Sequence, residues 1–255
     1  MPAELPSLHP MPHRRPAEVL RIAHRGGGAQ ERYGLEDLLE TAAQGAHLVE
    51  VDLHVTGDNE LVARHDPVVE LAGVPTWLAD RRLDELLPAL KDANVPVVGD
   101  VVAAAKAAGV GLYLDIKSLA QPSAERLVAL LEAEGMADQT ILASGRSDVV
   151  ALCARVAPAI ARSVLFASTL EEPVQLARSV DAQFVHPCWE RLARPDELLA
   201  GPWLDRVRSY GLGVICWHEE RPDILASLCE LGVDGICTDA PKLLTGIAAA
   251  GPVAS

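Results

Sequence analysis

Aromatic side chains are scarce in this sequence, at 4% of its residues, although hydrophobic residues make up 49%. A core must therefore be built from Ala, Val, Leu and Ile, and the chain is too apolar to be disordered. Basic residues are also short, with 22 Lys and Arg against 36 Asp and Glu, for a formal net charge of −14. So acidic a surface repels nucleic acid and anionic lipid at long range and favours a metal cation. It leaves room for a local basic pocket that takes an anionic small molecule. No apolar run is long enough to span a membrane, so no stable membrane insertion is expected. The five cysteines, Cys153, Cys188, Cys216, Cys229 and Cys237, are odd in number and include no C-x-x-C pair. They read as buried free thiols of a reducing compartment rather than a disulfide or zinc framework. The first residues, "MPAELPSLHPMPHRRPAEVL", are proline-rich and lack the apolar segment of a secretion signal. Residues 1–17 are expected to form a flexible tail, and the expected location is the cytoplasm. Nothing in the sequence indicates an oligomeric state.

What remains is a rhythm of short apolar segments and longer amphipathic ones. Eight candidate strands cover residues 19–24, 48–55, 110–117, 140–144, 161–166, 182–187, 212–218 and 234–239. Helical patterns such as "VVAAAKAAG", "SAERLVALLEAEG" and "PDILASLCELG" fall between them and stop at glycine. Strand–helix alternation implies parallel strands joined by helical crossovers, and eight units in this length fit a (β/α)8 TIM barrel. A doubly wound open sheet is the alternative, but it usually has fewer strands and a glycine fingerprint absent here. The barrel is expected over residues 18–250 as a single domain. The interval of about 56–96 is too long for a loop and reads as a small insertion, with a short strand in "ELVARHDP".

Strand periodicity then sorts the polar residues. In "LVEVDLHV", Glu50, Asp52 and His54 share one face. In "LYLDIK", Tyr113, Asp115 and Lys117 do the same. In a parallel barrel the apolar faces pack on the helices, which turns the charged faces inward near the C-terminal rim, where active sites collect. Carboxylates about 7 Å apart on one strand face repel unless a cation lies between them. Three carboxylates suit a hard cation, Mg²⁺ or Ca²⁺. Lys117, one step nearer the rim, can pair with a phosphate. His24 ends the first strand and His65 opens the insertion, and two histidines near neutral pH can divide a proton transfer. His24 begins "HRGGG", which reads either as a plain turn or as an anion site, with Arg25 holding charge and the glycines letting backbone approach. His9, His13 and His47 are set aside; His54, His186 and His218 are secondary candidates. Trp217 stands at a strand end, where it can stack on substrate or plug the barrel. Asp239, before Pro241, reads as the cap of the last helix.

Taken in order, "HRG" (24–26), "EVD" (50–52), "HD" (65–66), "DIK" (115–117), "WH" (217–218) and "GVDGICTDAP" (232–241) resemble the glycerophosphodiester phosphodiesterase family. The resemblance spans about residues 20–245. It implies a TIM barrel with an insertion after the second strand and one divalent cation on Glu50, Asp52 and Asp115. It also implies paired catalytic histidines at His24 and His65 and a phosphate held by Arg25 and Lys117. The expected reaction is cleavage of a small glycerophosphodiester to sn-glycerol-3-phosphate and an alcohol. Two alternatives are a phospholipase D-like lyase that forms a cyclic phosphate from a lysophospholipid, and a non-catalytic relative that binds phosphorylated ligands. The chain departs from the family pattern in three places. The usual P-E-N-T is replaced by "AQERYGLEDLLE", where Glu31 is the nearest substitute. Asp115 stands for a glutamate. His218 stands for the threonine after Trp217, which makes it a candidate substrate contact beside Trp217 and Glu31.

Overall fold

The computed structural model describes residues 5–10, 16, 18–24, 40 and 42–249. Eight parallel strands close into a barrel: β1 (Leu20–Ala23), β2 (Leu48–Val55), β6 (Gly111–Ile116), β7 (Thr140–Ser144), β8 (Ala161–Phe166), β9 (Phe184–Pro187), β10 (Gly213–Cys216) and β11 (Gly235–Thr238). They match the eight sequence-predicted strands. Closure is made by β1, which pairs with β11 on one side and β2 on the other. Among the described residues the helices are α1 (Leu83–Asp92), which belongs to the interval after β2, and, around the barrel, α2 (Val98–Ala108), α3 (Gln121–Glu134), α4 (Ser147–Val156), α5 (Pro173–Ser179), α6 (Pro195–Leu199), α7 (Pro202–Ser209), α8 (Pro222–Leu231) and α9 (Lys242–Ala249). Helices α2, α3 and α8 stop at Gly109, Gly135 and Gly232, each with φ near +70°, a left-handed conformation that glycine enters without a Cβ clash. The expected helix in "LEDLLETAAQG" begins among residues outside the described set.

The alternation read from sequence is the packing found. Val49, Val51 and Leu53 of β2 and Leu112, Leu114 and Ile116 of β6 pack in the layer between sheet and helices. Tyr113 joins the interior cluster with Leu48, Phe184 and Ile215. Glycines begin three strands where the interior is tightest: a Cβ on Gly111 would lie 2.5 Å from Leu48, and one on Gly213 would lie 2.5 Å from Phe184.

The interval after β2 builds on the barrel edge. Strand β1 meets only the start of β2, with Ile22 level with Leu48 and Ala23 with Val49. The outer half of β2 instead takes β3 (Leu61–Ala63), antiparallel, at residues 53–55. A hairpin of β4 (Val68–Leu71) and β5 (Val74–Trp77) and helix α1 follow. Their small separate core includes Val62, Val69, Leu78, Leu86 and Leu90.

Two findings concern residues the sequence left aside. Within the segment expected to be a tail, Leu8 is buried and, with Leu5 beside it, packs on the barrel's interior cluster. His47 is locked at the base of the barrel: its Nδ1 accepts from the Arg21 backbone N–H at 3.1 Å, and the Arg21 guanidinium lies 2.7 Å from its Nε2. Burial, aided by Arg21, lowers the His47 pKa to about 4. Between the unfolded value near 6.5 and about 4 the unfolded chain binds a proton that the folded chain refuses, so this group costs stability as pH falls through that window. The melting-temperature advantage of wild type over His47→Gln should therefore be largest at pH 7 and shrink by pH 4.5. A constant gap would show that burial does not shift His47.

Candidate functional site

Barrel register decides which side chains meet. Ala23 is level with Thr238 of β11 and with Val49 of β2. One residue on, His24 falls between Asp239 and Glu50. On the next pair, Asp52 is level with Asp115 and Glu50 with Tyr113. Residues from both ends of the chain thus arrive at one rim.

Glu50, Asp52 and Asp115 are buried, and each offers an oxygen within 4.8 Å of the others. Two oxygens bound to one Ca²⁺ at 2.3–2.6 Å lie at most about 5 Å apart, so the spacing fits a hard divalent cation. Asp115 Oδ1 is buried without a hydrogen-bond partner, an acceptor with capacity for such an ion. Lys117 lies across the cluster and donates from Nζ to Asp115 Oδ2 at 2.5 Å and to Asp52 Oδ1 at 2.8 Å. Burial pushes the Asp115 carboxyl above its ordinary value, against the pull of Lys117. Burial pulls the Lys117 amine down, but Asp115 and Asp52 outweigh it and hold it above its ordinary value. The lysine therefore stays charged between the two carboxylates.

His65 sits where β3 leaves the sheet. One backbone bond and one side-chain bond brace the loop: Arg64 N–H donates to the Asp52 carbonyl at 2.9 Å, and His54 Nε2–H donates to the His65 carbonyl at 2.9 Å. Burial, the largest influence, keeps His54 below its ordinary pKa, which suits this neutral donor. The His65 ring is 41% exposed, with Nδ1 2.9 Å from Asp66 Oδ1.

His24 follows β1, on the same edge of β2 that carries β3. Its Nδ1 donates to Asp239 Oδ1 at 2.7 Å. A neutral ring in that tautomer presents a lone pair at Nε2, and Nε2 is buried with no hydrogen-bond partner. Trp217 meets the ring edge-on at 4.8 Å and His218 stacks on it at 4.7 Å. His24, His218 and Asp239 also have ligand atoms within 4.8 Å of one another, though the short His24–Asp239 contact is a hydrogen bond.

Of the expected site residues, the structure gathers Glu50, Asp52, Asp115 and Lys117 in one cluster with His65 at its rim. It gathers His24, Trp217 and His218 in the neighbouring one. Arg25 and Glu31 lie outside the described residues. His186 lies inside the barrel with its ring 5.6 Å from that of Trp217: its Nδ1 is 2.5 Å from the Tyr113 hydroxyl, which donates to Ser163 Oγ at 2.9 Å. Burial pulls its pKa to about 3. Asp239, read as a helix cap, orients His24. Glu220 was not singled out. Its Oε1 accepts from Asp239 N–H at 2.7 Å and from the Thr238 hydroxyl at 3.0 Å.

Titration calorimetry with Mg²⁺ and with Ca²⁺ should show one site on the wild-type protein, weakened at least about tenfold in Asp52→Asn and Asp115→Asn. Equal affinity in both variants would remove these carboxylates from the ligand set.

Comparison with known proteins places this geometry. The sequence model of the glycerophosphoryl diester phosphodiesterase family matches residues 24–243. The chain is 27% identical over 238 residues to an uncharacterized protein, YqiK, of Bacillus subtilis, covering 87% of this chain and 95% of that one. It is 23% identical over 252 residues to a glycerophosphodiester phosphodiesterase of Caldanaerobacter subterraneus, covering 90% and 98%. Among solved structures, a glycerophosphodiester phosphodiesterase of Parabacteroides distasonis superposes with a TM-score of 0.74 at 22% identity, covering 90% of this chain and 96% of that one. A phosphodiesterase of Oleispira antarctica in complex with the product sn-glycerol-3-phosphate superposes with 0.71 at 17% identity, covering 91% and 96%.

Proposed function

From the premise that the chain belongs to the glycerophosphoryl diester phosphodiesterase family, whose members are phosphoric diester hydrolases, we propose that it hydrolyses small glycerophosphodiesters to sn-glycerol-3-phosphate and an alcohol. The observation that carries the reading is the pairing of a buried, carboxylate-backed His24, its Nε2 unbonded, with the adjoining Glu50–Asp52–Asp115 cluster. The product bound by the Oleispira antarctica relative supports the choice of phosphodiester.

Glu50, Asp52 and Asp115 hold one divalent cation, Mg²⁺ or Ca²⁺, which when bound supplies Lewis-acid stabilisation of the phosphoryl oxygens. Lys117 and Arg25 hold the same phosphate, stabilising charge that builds on its oxygens as water attacks. His24 takes the proton of the attacking water at Nε2, and Asp239 stabilises the imidazolium that forms. His65, at the open edge beside Asp66, gives its proton to the departing alkoxide. Trp217 meets the His24 ring edge-on. Each acid–base role is worth about 10²–10⁴ in rate.

Release of sn-glycerol-3-phosphate from a panel of glycerophosphodiesters, with Mg²⁺, with Ca²⁺ and with EDTA, tests the reading. The expected result is metal-dependent turnover that falls at least about 100-fold in His24→Ala and in His65→Ala. Full activity in both variants would sink the assignment. A cyclic phosphate seen by phosphorus NMR would make the protein a lyase, and binding without turnover would make it a phospho-ligand receptor.

A further inference from the structure

His218 stands where the related pattern has threonine, and its surroundings do not suit a substrate contact. Its Nε2 faces Glu220 Oε2 at 3.6 Å and Asp239 Oδ2 at 4.0 Å, and its Nδ1 is buried without a partner. Those separations exceed hydrogen-bond range. The ring, by contrast, makes a close contact: it stacks on His24 with centroids 4.7 Å apart and 29° between the planes, inside the range of favourable ring pairs.

His24 has a need that this contact meets. One hydrogen bond, from Nδ1 to Asp239, sets the turn of the imidazole about Cβ–Cγ only to within the angular play of that bond. Trp217 touches the ring only edge-on, at 76°. A flat ring against the face of His24 removes the remaining freedom and fixes where Nε2 points. Glu220 is held through its other oxygen by Asp239 N–H and Thr238, so the wall behind the stacked pair is rigid.

We infer that His218 is a positioning residue for His24, acting through its ring face rather than through its nitrogens. The inference rests on the reading of His24 as a proton carrier. It accounts for a histidine in place of threonine without a change of substrate, since a threonine has no face to offer the imidazole.

The test measures kcat and KM of His218→Phe, His218→Thr and His218→Ala on a glycerophosphodiester that wild type hydrolyses, with nitrogen-15 spectra of the His24 ring in each protein without added metal. Phenylalanine keeps the stack and should keep kcat close to wild type. Threonine and alanine should lower kcat by about 10–100-fold, the scale of a misplaced reacting group, with KM little changed. The His24 nitrogens should report a single Nδ1–H tautomer in wild type and His218→Phe, and an averaged ring in His218→Ala. A phenylalanine variant as slow as the alanine one would overturn the inference, as would wild-type kcat in His218→Thr or a loss confined to KM. If wild type hydrolyses no phosphodiester, the phosphodiesterase reading fails by itself. The ring spectra still decide the stacking, and identical His24 signals in wild type and His218→Ala would overturn it.

Discussion

The mouth of this barrel depends on four residues, Leu20–Ala23. They form the strand that joins the first pair of the sheet to the last, and their register leaves His24 level with Asp239 on one side and Glu50 on the other. Backbone hydrogen bonds, not side-chain preferences, thus bring together groups 215 positions apart in the chain. A slip of one residue in β1 would turn its inward side chains out, so the glycines and large apolar residues that fit the interior also protect the chemistry above it.

The short reach of β1 has a second effect. Because it covers only the start of β2, the outer half of β2 accepts β3 and with it the loop that carries His65. His24 is held at the end of β1 and by neighbouring rings, whereas the segment that carries His65 is bonded to β2, from Arg64 to Asp52 and from His54 to His65, and also to Pro96 and Val68. Both supports lie along the same edge of β2, β1 at its start and β3 at its outer half.

Much of this was legible in the sequence because strand periodicity is a strong signal. The inward placement of Glu50, Asp52, Tyr113, Asp115 and Lys117 followed from alternation alone, and the inserted strand followed from "ELVARHDP". Asp239 was read as a helix cap because of its neighbour Pro241, and its bond to His24 was not foreseen. Yet Gly235, Cys237 and Asp239 share a parity that points inward, and barrel closure makes the last strand adjacent to the first. The role of Glu220 had no such signal, since it lies past the end of its strand, where alternation lapses. The packing of Leu8 was hidden for another reason: two leucines in a proline-rich stretch show no periodicity, and only the finished interior reveals a place for them.

That packing has a consequence for traffic through the molecule. With Leu8 seated among the side chains that fill the barrel interior, the described residues pack that interior rather than lining a channel through it. A cleft with a single opening must release whatever it makes by the way it took in its starting material. Of two fragments formed there, the one nearer solvent leaves first and the deeper one waits behind it, so the slow step of a cycle can be a departure and not a bond cleavage.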